Sequence, residues 1–276
     1  MSIITLTTDF GNKDYAVGAV KAALISAISP LQIVDISHEI SPYNLTECAY
    51  ILKNAYLVFP KGSIHIIGVE SEQTPENRHL AMRYNDHYFI GADNGIMALL
   101  LDQHRPEKVV EINIHNNVVT SFPVLDVFVN VAAHIARQGQ LEVIGKPITA
   151  IKEIKELQPV INTEKNQILG AVIYIDNYGN VVTNITQKLF DEVGMSRNFT
   201  IFARNEKFRQ VYTAYSEAID FTIPVGKRAA DGKKLALFNA AGHLEIAIYK
   251  SNPNTVGGAN TLFGLSYRDP ITVVFE

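Results

Sequence analysis

Hydrophobic and polar positions follow two different patterns along the chain. In the first half, short β-branched runs alternate with stretches whose apolar residues recur at a helical period. Ile3–Thr8 precedes Val17–Ala27, and Gln32–Ile36 precedes Asn44–Val58. Such alternation predicts a mainly parallel sheet with helices on both faces. Further strands are predicted at Ser63–Val69, His79–Tyr84, His87–Ile90 and Lys108–Ile112, the second and third of these joined in a hairpin around Asn85-Asp86. Helices are predicted at Ile96–Leu101 and Val127–Gln138.

The pattern of hydrophobic and polar residues changes after about Gly145. Lys152–Glu156 is a charged stretch, Pro159 interrupts it, and Asn162–Asn166 is polar, which is typical of a linker. We therefore expect an α/β N-terminal domain (1–150), a linker (151–166) and a small all-β, barrel-like C-terminal domain (167–276). The strands predicted in the last domain are Gln167–Ile175, Val181–Ile185, Asn198–Ala203, Gln210–Tyr212, Lys234–Asn239, His243–Ala247 and Ile271–Phe275.

Composition narrows the functional classes. Of 276 residues, 47% are hydrophobic and 19% charged, which favours a substantial core. The net charge of -4 argues against nucleic-acid binding, and no apolar run approaches the roughly 20 residues that span a membrane. The single cysteine, Cys48, excludes a disulfide framework, and the scattered histidines do not suggest a metal site. A cytoplasmic protein is expected, because the N-terminus lacks the pattern of a signal peptide.

Three segments carry more polar groups than a plain strand or turn needs. Asp9 and Asp14 follow the first strand, where an α/β fold places ligands; they could bind hydroxyl groups, hold a metal or cap a helix. Asp176–Asn180 suits a nucleoside, with the base stacked on Tyr178, but also suits an unliganded hairpin turn. For Gly91–Gly95 a capped helix start is the stronger interpretation.

These segments belong to a set of motifs that occur in order and with matching spacing. The chain resembles the S-adenosylmethionine hydroxide adenosyltransferases, relatives of the fluorinase and chlorinase enzymes, nearly end to end. The motifs are the Thr-Thr-Asp-Phe-Gly start with Asp14, Ile33–Pro42, Phe59–His65, Gly91–Gly95, Asp176–Ile185 and Asn239–Ala247.

The resemblance implies an α/β domain joined to a small β-barrel. It also implies a homotrimer, with sites between the N-terminal domain of one subunit and the C-terminal domain of its neighbour. The implied reaction is attack of water, or halide in the halogenases, on the 5′ carbon of S-adenosylmethionine. No cofactor or metal is expected, because the sulfonium is already a good leaving group. The protein has to orient the nucleophile and remove its water.

The resemblance also implies roles for individual residues. Asp14 falls at the position of the ribose-binding aspartate, and Tyr43 where the halogenases place an aromatic near the ribose. Asp176 would contact the methionine amino group, Tyr178 would stack on adenine, and Asn180 would hydrogen-bond its edge.

The sequence departs from the family at the positions that activate water. Glu70 replaces an aspartate, Asn77 the first of two arginines, and Pro123 a histidine, although Arg78 is retained. Pro123 has no side chain able to act as a base. We hypothesise that Glu70 and Arg78 do part of the work of the missing set. Because the Glu70 carboxylate would repel a halide, halogenation is not expected.

Ala240 and Ala241 replace polar residues that hold the methionine carboxylate in the halogenases. Three hypotheses therefore stay open. The first is hydrolysis of S-adenosylmethionine to adenosine and methionine. The second is a non-catalytic protein that binds S-adenosylmethionine or adenosine. The third is an enzyme acting on another 5′-substituted adenosine.

Overall fold

The computed structural model describes residues 1–101, 104–114, 120–228 and 232–276. The chain divides into two compact units, Met1–Glu156 and Leu157–Glu276. The boundary falls inside the stretch predicted as a linker, and the end of that stretch belongs to the second unit, where Val160–Ile161 forms a short strand.

The first unit is a seven-stranded sheet with helices on both faces. Its strands are β1 (Ser2–Thr8), β2 (Leu31–Ser37), β3 (Ile64–Gly68), β4 (His79–Tyr84), β5 (His87–Ala92), β6 (Lys108–Ile112) and β7 (Gly145–Pro147). Its α-helices are α1 (Ala16–Ala27), α2 (Leu45–Tyr56), α3 (Ile96–Leu101), α4 (Val129–Ala136) and α5 (Leu141–Ile144). The strand order is β2-β1-β3-β5-β4-β6-β7, with β2, β1, β3 and β5 parallel and the remaining pairings antiparallel.

Side chains of successive strand residues point to opposite faces, and each face has its own core. Ile4, Leu6 and Ile66 pack with α1, α4 and α5. Ile67 packs on the other face with α2 and α3, in the core that also contains the fully buried Cys48. The predicted α/β domain with a largely parallel sheet is therefore confirmed.

Two local features refine the prediction for this unit. Asn44 caps α2 by accepting a hydrogen bond from the Glu47 N–H at 3.1 Å, as expected for an N-cap residue. The helix predicted over Val127–Gln138 begins instead with a π-helical turn, Val124–Phe128, that leads into α4. Short π-helical segments occur frequently at functional sites.

The second unit is an antiparallel sheet of eight strands that curls into a nearly closed barrel. Its strands are β8 (Val160–Ile161), β9 (Gln167–Ile175), β10 (Val181–Thr186), β11 (Phe199–Ala203), β12 (Glu206–Phe208), β13 (Lys234–Phe238), β14 (His243–Ile248) and β15 (Pro270–Phe275). The order is β12-β11-β15-β9-β10-β14-β13, and β8 pairs with β9. Two α-helices, α6 (Gln187–Gly194) and α7 (Ala259–Leu262), and 3₁₀ turns at Tyr215–Ala218 and Val225–Lys227 complete it. The predicted barrel-like domain is confirmed.

The strand predicted at Gln210–Tyr212 is wrong. The strand is Glu206–Phe208, which pairs with β11 in a tight hairpin, and only Tyr212 forms an isolated bridge, to Leu237. The predicted strands also left out α6, which begins at a cap from the Thr186 hydroxyl to the Leu189 N–H. Phe190 of this helix packs against Phe199, Phe238 and Phe275.

None of the helices in the described part of the chain is both long and apolar enough to cross a membrane.

Candidate functional site

The loops after β1 and β2 are joined to each other at the carboxyl ends of these parallel strands. The Gly11 N–H donates to the His38 carbonyl at 2.7 Å, and the Ile40 N–H to the Thr8 carbonyl at 3.4 Å. Asp9 Oδ2 accepts from the Tyr43 N–H at 3.0 Å and holds Tyr43 at a φ of 61°. Asp9 therefore supports the loop, and the Tyr43 side chain is 73% exposed at its tip.

Asp14 lies at the start of α1. Its Oδ1 accepts from the N–H of Ala16, the first residue of the helix, at 2.9 Å, although the N-cap position is Tyr15, which makes no side-chain cap bond. An ionised carboxylate has about four acceptor positions, and the exposed Asp14 can accept further hydrogen bonds from a ligand. The bond to Ala16 and the ribose-binding role are thus compatible.

Glu70 lies two residues after the end of β3, at the same edge of the sheet. It adopts a φ of 45° and is half-buried. The Asn94 amide, in the turn after β5, donates to the carbonyls of both Val69 and Glu70 at 3.1 Å. Asn94 also caps α3 through the Ile96 N–H. The backbone that carries Glu70 is therefore fixed by the Gly91–Gly95 turn.

Arg78 is engaged by groups other than the Glu70 side chain. Its guanidinium contacts Asp93 Oδ2 at 2.6 Å and Glu111 Oε2 at 3.3 Å, and it donates to the Ala150 carbonyl at 3.2 Å. The Asp93 hydrogen bond raises the pKa of Arg78. Among the described residues, no hydrogen bond or ion pair joins Arg78 to Glu70, so their joint action on water stays a prediction.

Lys152 is a cation that the sequence reasoning did not select. Its ammonium donates to Asn77 Oδ1 at 3.0 Å, and its N–H donates to Asp93 Oδ1 at 2.8 Å. The partners lie 75 and 59 residues away, so no local pattern could have revealed them. A pocket of about 490 Å³ opens here, lined by Glu76, Arg78, Asp93, Ala150, Ile151 and Lys152.

An aromatic pair lies beside the end of β1. The Phe10 and Phe122 rings meet edge to face with centroids 5.6 Å apart. A Cβ added to Gly68 would lie 3.2 Å from Phe10 and 3.1 Å from Val124, so these groups meet closely at the end of β3. Pro123 lies between Phe122 and Val124 in the chain and is the N-cap residue of the π-helical turn. The two rings and Val124 thus form a small apolar contact beside the ends of β1 and β3.

The Asp176–Asn180 turn joins β9 and β10 in the second unit. Asp176 Oδ1 accepts from the N–H groups of Tyr178 and Asn180 at 2.8 Å, and Oδ2 accepts from the Asn180 amide at 3.0 Å. Gly179 has a φ of +74°, and an added Cβ would lie 2.8 Å from Gly258 Cα. The turn is thus a rigid platform in which Tyr178 is 63% exposed while Asn180 is buried.

A buried acid lies close to this turn. Glu245, on β14, is 3% exposed and accepts from the Tyr215 hydroxyl at 2.6 Å and from the Asn239 amide at 3.2 Å. Burial raises its pKa, and the nearby charge of Asp176 adds to the effect. The sequence signal was available, since an acid interrupts an otherwise apolar stretch of β14.

Metal ligation has no support in the described ranges, where no three His, Cys, Asp or Glu side chains are grouped so that they could hold an ion. The predicted site residues thus lie in two places. Asp14, Tyr43, Glu70 and Arg78 lie around the carboxyl edge of the first sheet, and Asp176, Tyr178 and Asn180 lie in one turn of the second unit.

The first unit has acids at the carboxyl ends of its parallel strands, which is where open α/β sheets bind their ligands, and it is followed by a small β-barrel. The models of the S-adenosylmethionine hydroxide adenosyltransferase N-terminal and C-terminal domains match residues 4–145 and 170–272. The chain belongs to this family.

Relatives of known name cover the whole chain. An "(R)-S-adenosyl-L-methionine hydrolase" from Methanocaldococcus jannaschii is 27% identical over 100% of this chain and 97% of its own length. A protein of the same name from Thermus thermophilus is 25% identical over 99% and 100%. A fluorinase from Actinopolyspora mzabensis is 20% identical over 89% and 90%. An uncharacterized conserved protein from Thermotoga maritima has a similar structure, with a TM-score of 0.82, 25% identity and 99% coverage of both chains.

Proposed function

We propose that this protein hydrolyses S-adenosylmethionine to adenosine and methionine. The observation that carries the proposal is the match of both family domains in order, together with full-length similarity to proteins named as hydrolases of this substrate. Fluorinases are similar too, but at lower identity. S-adenosylmethionine is the substrate, and we propose that no cofactor takes part.

The reaction is a displacement at the 5′ carbon. The water oxygen forms a bond to C5′ as the C5′–S bond breaks, and the bonding electron pair goes to sulfur, which leaves as the neutral thioether of methionine. The proton lost by water passes to a base or to solvent. The protein's task is to hold water and sulfonium in line and to keep other water away.

We assign the nucleoside to two sets of residues. The Asp14 carboxylate accepts hydrogen bonds from the ribose hydroxyls, and Tyr43 lies beside the ribose. Tyr178 stacks on adenine, Asn180 bonds its edge, and Asp176 contacts the methionine ammonium. The hydrogen bonds within the Asp176–Asn180 turn and the exposure of Tyr178 support the stacking role of Tyr178. Asn180 is buried and its amide nitrogen donates to Asp176, so its contact with adenine rests on the family resemblance. The three hydrogen bonds that Asp176 accepts within its turn also give it a structural function.

We propose Glu70 as the residue that orients the attacking water. Its backbone is fixed by Asn94, and it lies at the edge of the sheet where β1 and β3 end. The Phe10–Phe122 pair supports the exclusion of bulk water. Arg78 contributes through Asp93, whose turn holds Glu70, since its guanidinium is bound there.

The experiment is turnover in water enriched in oxygen-18. Purified protein is incubated with S-adenosylmethionine, and adenosine and methionine are followed by chromatography and mass spectrometry. Label in the 5′ oxygen of adenosine is the expected result. Calorimetry with adenosine, S-adenosylmethionine and other 5′-substituted adenosines runs in parallel. The wild type is compared with an Asp14→Asn variant, which has nearly the same shape but lacks the carboxylate that accepts hydrogen bonds from the ribose hydroxyls.

The other two hypotheses are outcomes of the same experiment. Adenosine binding without turnover of any substrate supports a binding protein. Turnover of a different 5′-substituted adenosine supports an enzyme whose substrate carries a less charged 5′ substituent. Ala240 and Ala241 favour this outcome because their side chains cannot bind a carboxylate. The Ala241 N–H is also already engaged, since it donates to Asn239 Oδ1 at 3.0 Å. No binding of any of these compounds contradicts all three hypotheses.

We further propose a homotrimer with sites formed between subunits, following the family resemblance. Light scattering after size-exclusion chromatography should give three times the chain mass of 30.6 kDa. A monomer that turns over S-adenosylmethionine would contradict this proposal.

A further inference from the structure

Two threonines of β1 bind two buried histidines on opposite faces of the sheet. Thr5 Oγ1 lies 2.7 Å from His65 Nδ1, and Thr8 Oγ1 lies 2.8 Å from His38 Nδ1. Odd and even positions of a strand face opposite sides. The residue types and contacts are thus the same, but only the Thr8–His38 pair lies at the carboxyl edge, where the site is.

His38 connects three elements of the first unit. Its Nδ1 contacts Thr8 at the end of β1, and its Nε2 lies 3.1 Å from Asp35 Oδ1 on β2. Asp35 Oδ2 in turn lies 2.5 Å from the Lys21 ammonium on α1. The His38 ring is 3% exposed. A buried ring between a strand end and a charged pair restrains all three elements.

The Thr8–His38 contact is the side-chain hydrogen bond of this network. Thr8 Oγ1 also accepts from the Phe10 N–H at 3.4 Å, since a hydroxyl can take part in more than one hydrogen bond. His38 Nε2 lies 3.1 Å from Asp35 Oδ1, but it has no hydrogen-bond partner among the described residues, so this second contact is one of proximity to a charge.

Backbone bonds start on both sides of the Thr8–His38 contact. The Thr8 carbonyl accepts from Ile40, and the His38 carbonyl accepts from Gly11. The Asn12 amide also donates to Glu39 Oε1 at 2.9 Å. The segment leading to Asp14 and the segment leading to Tyr43 are therefore linked by hydrogen bonds at their bases, where His38 is the buried side chain between them.

We propose that His38 is a positioning residue for nucleoside binding, which holds the loops of Asp14 and Tyr43 in the arrangement that accepts the ribose. The proposal rests on the proposed function only in giving Asp14 and Tyr43 to the nucleoside. Because preorganised loops lose less entropy on binding, removing the ring weakens binding without removing a contact to the ligand.

The test compares three variants by calorimetry with adenosine and by steady-state turnover of S-adenosylmethionine. His38→Ala should raise the adenosine Kd and the KM by about 10- to 100-fold, with a smaller change in kcat, as expected when binding is lost equally from ground and transition states. His38→Gln, which can still hydrogen-bond, should recover part of the affinity. Thr8→Val, nearly isosteric, should shift the Kd in the same direction and serves where His38→Ala does not fold.

The matched control is His65→Ala. His65 is as buried as His38 and is also bound by a threonine of β1, but its second partner is His87 Nδ1, at 3.1 Å, on the other face. A purely structural effect would act on both variants, whereas the proposal predicts lower stability and an unchanged adenosine Kd for His65→Ala. His87→Ala, in the same pair, replaces it if it does not fold.

The outcomes separate this proposal from the proposed function. Adenosine binding by the wild type without turnover overturns hydrolysis and leaves the positioning test intact. An unchanged Kd in His38→Ala or Thr8→Val overturns the positioning role, as does an equal loss of affinity in the His65 control. A wild type that binds neither adenosine nor S-adenosylmethionine overturns both.

Discussion

Asp93 Oδ2 accepts from two nitrogens of Arg78, Nη2 at 2.6 Å and Nε at 3.2 Å. The Asp93 side chain is 4% exposed and the Arg78 side chain 36% exposed, so a partly exposed guanidinium neutralises a buried carboxylate. This relation fixes the turn that carries Asn94, and Asn94 holds the backbone of Glu70.

Replacing Arg78 with alanine should lower the free energy of unfolding by about 2 kcal/mol, because a buried carboxylate is left without its cation. Urea denaturation measures the change. Arg83→Ala is the control: its partner Asp86 is 44% exposed, and surface pairs contribute roughly 0–1 kcal/mol. Equal losses in the two variants would contradict the importance of burial.

Glu70→Gln tests the orientation of water. We expect adenosine formation to fall by about 100-fold or more, in the range typical of a lost acid–base group, with the adenosine Kd unchanged. Single-turnover kinetics measures the rate. Glu72→Gln, an exposed acid of the same loop, should leave it intact. Full activity in Glu70→Gln would remove Glu70 from the mechanism.

Tyr178→Ala tests the adenine platform. The ring is 63% exposed, so stability should change little, whereas loss of stacking should raise the adenosine Kd by about 10- to 100-fold. Tyr178→Phe keeps the ring and should bind like the wild type. Calorimetry on both variants decides, and equal affinity of the alanine variant would place adenine elsewhere.

The buried His65–His87 pair predicts loss of stability in acid. Burial lowers the pKa of His65 to about 3, with a contribution from His87, whose own pKa burial also lowers. The unfolded chain, with an ordinary histidine pKa near 6.5, binds the proton more readily. Stability is therefore complete above about pH 6.5 and falls as the pH drops from there toward 3.

For His65 alone the fall from pH 7.5 to pH 5 should be roughly 2 kcal/mol. Urea denaturation at the two pH values measures it. His65→Gln, which cannot titrate, should show a shallower dependence although it is less stable at neutral pH. An identical slope in the variant would assign the acid sensitivity to other groups.

Local patterns predicted much of the fold. The Asn85-Asp86 dipeptide between two alternating runs gives a hairpin in which both residues have positive φ, 51° and 61°. Asn44 caps its helix as its residue type suggests. The misplaced strand near Gln210 shows the limit, because the pairing of Glu206–Phe208 is set by its neighbour β11 rather than by its own alternation.

At the candidate site, the turn at Asp176–Asn180 was predictable because its motif is contiguous. The site was not predictable where the contacts are distant in sequence. Lys152 reaches Asn77 across 75 residues, and Thr8 reaches His38 across 30. Arg78 is adjacent to Asn77 in sequence, but its partners Asp93 and Glu111 are set by the pairing of β4 with β5 and β6.

The buried thiol of Cys48 can report how often the first unit opens. Cys48 is the single cysteine of the chain, and on α2 it is 0% exposed. Because burial raises the pKa of this thiol, the reactive thiolate is scarce in the native state. Alkylation by iodoacetamide then reports openings of the first unit alone. Ligands that bind this unit should slow the labelling, even where they produce no heat that a calorimeter detects.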